Sequence, residues 1–188
     1  MRFGAGGLRQ AVSPLCLSLV LLAGCMTTKA SLQVTMPARG HDRIDRLYIV
    51  VNKGRVLDRS YARNLLGHLK GHLRGRVADQ SGTVLTGLEL DSGAIANEIH
   101  QFRADAVLVL DPVWCEIAPY SVGLDDPTRY STLASRIRYR ATLVEARTEG
   151  IIWQAEVENS GELRAVIDRA AITADRVTSA LAAEHLIQ

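Results

Sequence analysis

Residues 47–51 read Leu-Tyr-Ile-Val-Val, five apolar residues in succession, three of them β-branched. A run this short, without polar alternation, is the pattern of a strand covered on both faces. A second such run, Ala106-Val107-Leu108-Val109-Leu110, lies further along and is predicted to resume after Pro112 through Val113-Trp114-Cys115-Glu116-Ile117. Between the two, the spacing turns helical. Tyr61, Leu65, Leu66, Leu69 and Leu73 share one helical face behind Ser60 as N-cap, and Ile95, Ile99 and Phe102 repeat at three and four behind Asp91-Ser92. With residues 83–90 as a strand between these helices, the order is β-α-β-α-β, which predicts a sheet with helical crossovers.

A loop is predicted over residues 118–134, where Pro119, Gly123 and Pro127 stand among Tyr, Asp and Ser. From there the period is two. Ile137, Tyr139, Ala141 and Leu143 alternate with Arg136, Arg138, Arg140 and Thr142, and Ile151, Trp153, Ala155 and Val157 alternate with Gln154, Glu156 and Glu158. This predicts a hairpin with one apolar face. Keeping both apolar rows on that face requires an even register, which a three-residue loop with a left-handed Gly150 supplies, setting Arg140 opposite Glu158 and Thr142 opposite Glu156. An amphipathic helix from Glu162 to about His185 closes the chain, with Leu163, Val166, Ile167, Ala170, Ala174, Val177 and Leu181 in one stripe. The fold class is therefore α/β, β-α-β-α-β-(β-hairpin)-α: a single domain of mixed sheet and packed helices over residues 46–188.

The amino-terminal segment reads differently. Arg2 and Arg9 precede an apolar run over residues 12–22, too short for the roughly 20 residues of a spanning helix and suited to a signal peptide. It ends in Leu22-Ala23-Gly24-Cys25, which looks like a bacterial lipobox. Residues 1–24 are thus expected to be removed and Cys25 to be acylated, holding the protein on a membrane without a spanning helix. Met26 stands where an aspartate would, by resemblance to enterobacterial lipoproteins, retain the protein at the inner membrane, so the outer membrane facing the periplasm is the expected address. Residues 25–45, rich in Thr, Ser, Lys, Pro and Gly, read as a flexible tether.

The chain carries 22 Lys and Arg against 20 Asp and Glu. Its slight basicity belongs to the signal segment, and the balanced remainder argues against nucleic acid as a partner. With Cys16 lost and Cys25 acylated, Cys115 is left alone, which leaves no intrachain disulfide to form and reads as a small buried hydrophobe.

Residues 67–75, Gly-His-Leu-Lys-Gly-His-Leu-Arg-Gly, draw parallel stripes on a helix. His68 and His72 have zinc-clamp spacing, but Leu69 stands where the zincin motif needs Glu, so no metal is assigned. Gly67, Gly71 and Gly75 make one face that admits a close neighbour, either this domain's own sheet or another subunit. Arg136, Arg138 and Arg140 form a row that reads either as cross-strand ion pairs or as a site for an anionic glycan or lipid headgroup. Asp125-Asp126 before Pro127 reads as a turn, and Trp114 and Trp153 read as core or interface anchors. No catalytic constellation has defensible spacing, so no enzyme activity and no cofactor are assigned.

Two stretches carry a resemblance. Residues 102–110, Phe-Arg-Ala-Asp-Ala-Val-Leu-Val-Leu, are similar to the GADAVLVG-type step of periplasmic domains such as the amino-terminal domain of TolB. Residues 143–155, LVEARTEGIIWQA, resemble the hairpin LVDxxTGxIxWxA of the same group, with Thr-Glu-Gly here in place of Thr-Gly. That group includes the curli-secretion channel lipoprotein, the Pel polysaccharide export lipoprotein and the lipoprotein activators of penicillin-binding proteins. The resemblance implies helices on a mixed sheet and a non-enzymatic scaffold or assembly part of the cell envelope, several members of which form rings. It leaves three expectations open: a ring-forming export component, a monomeric adaptor of a periplasmic enzyme, and an anionic glycan- or lipid-binding module. An envelope protein partner and possible homo-oligomers are implied, and no binding residue transfers.

Overall fold

The two apolar runs lie side by side as parallel strands, Leu47 opposite Ala106 and Val51 opposite Leu110. The computed structural model describes residues 29–38, 40–54, 59–86, 92–121, 130–160 and 166–188. Its elements are β1 (Lys29–Met36), β2 (Arg46–Asn52), α1 (Arg59–Leu73), β3 (Asp79–Leu85), α2 (Ser92–Phe102), β4 (Ala106–Ser121), β5 (Tyr130–Glu145), β6 (Ile151–Ser160) and α3 (Val166–Ala183). They build one mixed sheet in the order β1-β6-β5-β4-β2-β3. β2 runs parallel to β3 and β4, and the other neighbours pair antiparallel.

The sheet has two unlike faces. On one, Leu65, Leu69 and Leu73 of α1 and Ala170, Ala174, Val177 and Leu181 of α3 share a fully buried core with Leu47, Ile49, Leu108, Tyr139 and Trp153. On the other, Ile95, Ile99 and Phe102 of α2 pack over Tyr48, Val50 and Val107. β2 is thus covered on both sides, as its unbroken apolar run demands. β3 lies at the edge, and Gly82 lets it close onto β2: a Cβ there would stand 2.3 Å from the Ile49 carbonyl oxygen.

The step from α2 into β4 shows why the Ala-Asp-Ala sequence works. α2 ends in a Schellman motif, the Ala104 N–H donating to the Ile99 carbonyl at 3.3 Å and Arg103 to that of His100 at 3.0 Å. Arg103 therefore sits at φ +55° without being glycine. Two residues on, the Asp105 carboxylate accepts the Arg46 N–H at 2.7 Å and that of Asp45 at 3.2 Å, fastening the start of β2 to the start of β4.

Three expectations are corrected. Residues 29–36, read as flexible tether, form β1, which pairs antiparallel with β6. Its period of two is carried by Leu32 and Val34, which pack on the core between Ser31, Gln33 and Thr35. The loop assigned to residues 118–134 is strand at both ends, β4 reaching Ser121 and β5 starting at Tyr130. The hairpin keeps the even parity but slips by two: Arg138 faces Glu158, Arg140 faces Glu156 and Thr142 faces Gln154. The left-handed residue is Glu149, at φ +58°, and the register shifts between Leu143 and Val144 so that Ile152 is buried while Ile151 is half-exposed.

Candidate functional site

α1 settles which way its stripes point. Its leucines and Tyr61 take the core, so Gly67, Gly71 and Gly75 face outward, and a Cβ at any of the three would meet nothing within 4 Å. The glycines do not admit this domain's own sheet; the surface they offer is open. Gly75, at φ +80°, follows the end of the helix at Leu73. Among the described residues, no three His, Cys, Asp or Glu side chains gather as metal ligands, and no helix is long and apolar enough to cross a membrane.

The arginine row lies on the face of β5 opposite α1 and α3. Two glutamates of β6 thread it. Arg138 reaches Glu158 at 2.7 Å, Arg136 reaches Glu158 at 3.4 Å, and Arg140 reaches Glu156 at 3.5 Å. The Glu158 carboxylate raises the Arg138 pKa further above its ordinary value, so the guanidinium stays charged and engaged. Trp114 stands opposite Arg138 on this face and is 43 % exposed; its neighbour Val113 is 44 % exposed. Of the two tryptophans, Trp153 is the core anchor and Trp114 is a surface residue, because the register shift between Pro112 and Trp114 re-aims β4.

Behind this face lies a polar cluster of which only the two tyrosines stood in the apolar patterns. Arg169, Thr173, Asn159, Tyr61 and Tyr139 are buried together where α1 and α3 meet the sheet, the two phenol rings stacked at 6.2 Å. Asn159 Nδ2 donates to the Thr173 hydroxyl, which donates to the Arg169 carbonyl at 2.8 Å. Burial pushes both phenols up and the Arg169 guanidinium down from their ordinary values. Cys115 sits half-buried beside them, its thiol pushed up by burial against a smaller opposing effect of the Arg169 charge.

An open groove of about 920 Å³ lies between α2 and the β5–β6 turn, floored by Ile99, Val107, Val109 and Val144 and edged by His100, Arg103 and Glu149. Cys25, the expected lipidation residue, the expected signal segment over residues 1–24 and Asp125-Asp126 lie outside the described residues.

No family model matches the sequence, and no curated protein matches it. Among solved structures, the chain is similar to a PelC dodecamer from Paraburkholderia phytofirmans, at 16 % identity and TM-score 0.54, over 81 % of this chain and 97 % of that one. A dodecamer of a single-residue PelC variant from the same organism matches at 17 % identity and TM-score 0.48, over 82 % and 98 %. Lipoprotein GNA1162 from Neisseria meningitidis matches at 16 % identity and TM-score 0.39, over 73 % and 97 %. At these identities the likeness is one of fold, and it rests on the first of the three.

Proposed function

We propose that this chain is a non-enzymatic lipoprotein of the cell envelope, held on the outer membrane through acylated Cys25 and facing the periplasm, whose copies assemble into a ring-like scaffold for export or assembly. One observation carries the reading: the lipobox at residues 22–25 leads directly into a domain with the fold of a protein that forms dodecamers. The outward, unfilled glycine face of α1 supports contact between copies, since small residues let a partner approach closely. An anionic glycan- or lipid-binding role for Arg136, Arg138 and Arg140 has less support, because each already holds a glutamate.

The test is the solution mass, by light scattering on a gel-filtration column, of residues 26–188 and of the lipidated protein in detergent. A discrete multimer is expected, and a Gly71→Leu variant should lower the subunit number while leaving thermal unfolding nearly intact. A monomer under both conditions overturns the ring and favours an adaptor acting on a periplasmic enzyme.

A further inference from the structure

The topology brings the start of the described chain and the free end of the longest strand pair to one rim of the sheet. Lys29 pairs with Ser160, Ser160 with Arg136, and Arg136 with Glu116, a single row across β1, β6, β5 and β4. Beyond it, among the described residues, pairing continues in β4 and β5 alone, through five further positions from Ile117↔Ala134 to Ser121↔Tyr130. Lys29, the first described residue, stands in this same row. We propose that this two-stranded ribbon rests in the headgroup layer of the membrane that holds the lipid; the inference rests on the acylated Cys25 of the preceding reading.

Chain length carries the argument. From Cys25 to Lys29 is four residues, which span at most about 14 Å when fully extended. Five strand positions extend about 16 Å beyond the rim, and the three strand spacings between β1 and β4 add only about 14 Å of lateral offset. The ribbon is therefore at least as long as the link. A domain held this closely with its rim toward the bilayer brings the ribbon within reach of the surface.

The ribbon's sequence suits that place. Residues 117–121 read Ile-Ala-Pro-Tyr-Ser and residues 130–134 read Tyr-Ser-Thr-Leu-Ala, with no Asp, Glu, Lys, Arg or His among them. Tyrosine is enriched at membrane–water interfaces, where one end of its ring is wet and the other apolar. A lone pair of strands is marginal in water and gains from a supporting surface. Its edges, unpaired among the described residues, fix the depth: their backbone N–H and C=O groups need water or headgroup partners, which confines the ribbon to the interface and keeps it out of the hydrocarbon.

The experiment uses the mature lipidated protein in a Cys115→Ser background, which removes the native thiol. A polarity-sensitive dye is attached at Ser131→Cys on the ribbon, at Ser121→Cys on its other strand, or at Arg147→Cys at the opposite end of the sheet. The protein is reconstituted into phosphatidylethanolamine–phosphatidylglycerol vesicles with and without headgroup-level nitroxide lipid. Emission from positions 131 and 121 should be more than halved by the nitroxide lipid, and emission from 147 unchanged. Equal, weak quenching at all three while the protein floats with the vesicles overturns the seat of the ribbon. A dye at 131 that is shielded from a water-soluble quencher yet untouched by nitroxide lipid shows a second copy covering the ribbon, and also overturns it. Intact mass is measured first. Absence of acyl groups on Cys25 overturns the anchor and the ribbon together, whereas an acylated but unquenched protein overturns the ribbon alone.

Discussion

Arg138 and Glu158 stand directly opposite one another on β5 and β6, Nη2 to Oε2 at 2.7 Å, with Nε of the same arginine 3.2 Å from that oxygen. The pair sits in an alternating ladder in which two carboxylates serve three guanidiniums. An outside anion must compete with carboxylates already in place.

Replacing both glutamates therefore uncovers what the row can do. Glu156→Gln with Glu158→Gln should increase retention on an anionic matrix, and the added retention should vanish at high salt, where exposed charges are screened. The unmodified protein should bind such a matrix weakly. Tight, salt-sensitive retention of the unmodified protein would show that the ladder opens for ligand.

Two glycines should respond in opposite directions. Gly71→Ala, on an exposed helical face with nothing within 4 Å, should stabilise the monomer by about 0.5–1 kcal/mol. Gly82→Ala drives a Cβ into the Ile49 carbonyl and should cost about 1–3 kcal/mol. Urea unfolding followed by far-ultraviolet circular dichroism measures both.

Arg103 occupies a left-handed position that glycine would hold without strain. Relief of that strain exceeds the entropy a new glycine loses on folding, so Arg103→Gly should gain up to about 1 kcal/mol. An unchanged denaturant slope with a raised midpoint is the expected signature.

Cys115 should be a slow thiol. The thiolate is the reactive form and burial disfavours it, so alkylation at neutral pH should lag well behind that of the protein in urea. The folded state holds this proton more tightly than the unfolded chain. The contribution to stability is therefore complete below the ordinary thiol pKa of about 8.5 and is lost as pH rises through the raised value. Equal alkylation rates in folded and unfolded protein would contradict this.

Deleting residues 29–36 should behave as loss of a strand. It removes the pairing along β6 and the packing of Leu32 and Val34, so the melting temperature should fall and the bared β6 edge should promote association. A disposable leash would leave the melting temperature unchanged.

The legible parts of the fold were those where one physical signal dominated. The unbroken apolar runs of β2 and β4 announced strands covered on both faces, and the leucines of α1 announced its buried face. β1 was hidden because its outward positions, Ser31, Gln33 and Thr35, have the composition of a linker; only the pairing partner on β6 makes its weak alternation matter. The hairpin parity followed from the rule that both apolar rows share a face, but its absolute register depended on Glu149 taking the left-handed position that Gly150 was expected to hold. The glycine stripe was visible as a stripe, yet its direction was fixed only by which residues the sheet claimed. Arg169 and Thr173 gave no signal, since a polar residue on an amphipathic helix ordinarily reads as solvated.

β1 also alters what a lipid on Cys25, as proposed above, would do mechanically. Seven positions of β1 pair with β6, and the strand leads back within four residues to Cys25. A pull on the amino terminus along the strand loads those hydrogen bonds together in shear rather than peeling them one at a time. Under the proposed anchor at Cys25, tension would thus enter the sheet at its β1 edge and pass to β6 as a lateral load borne by the whole run of paired positions.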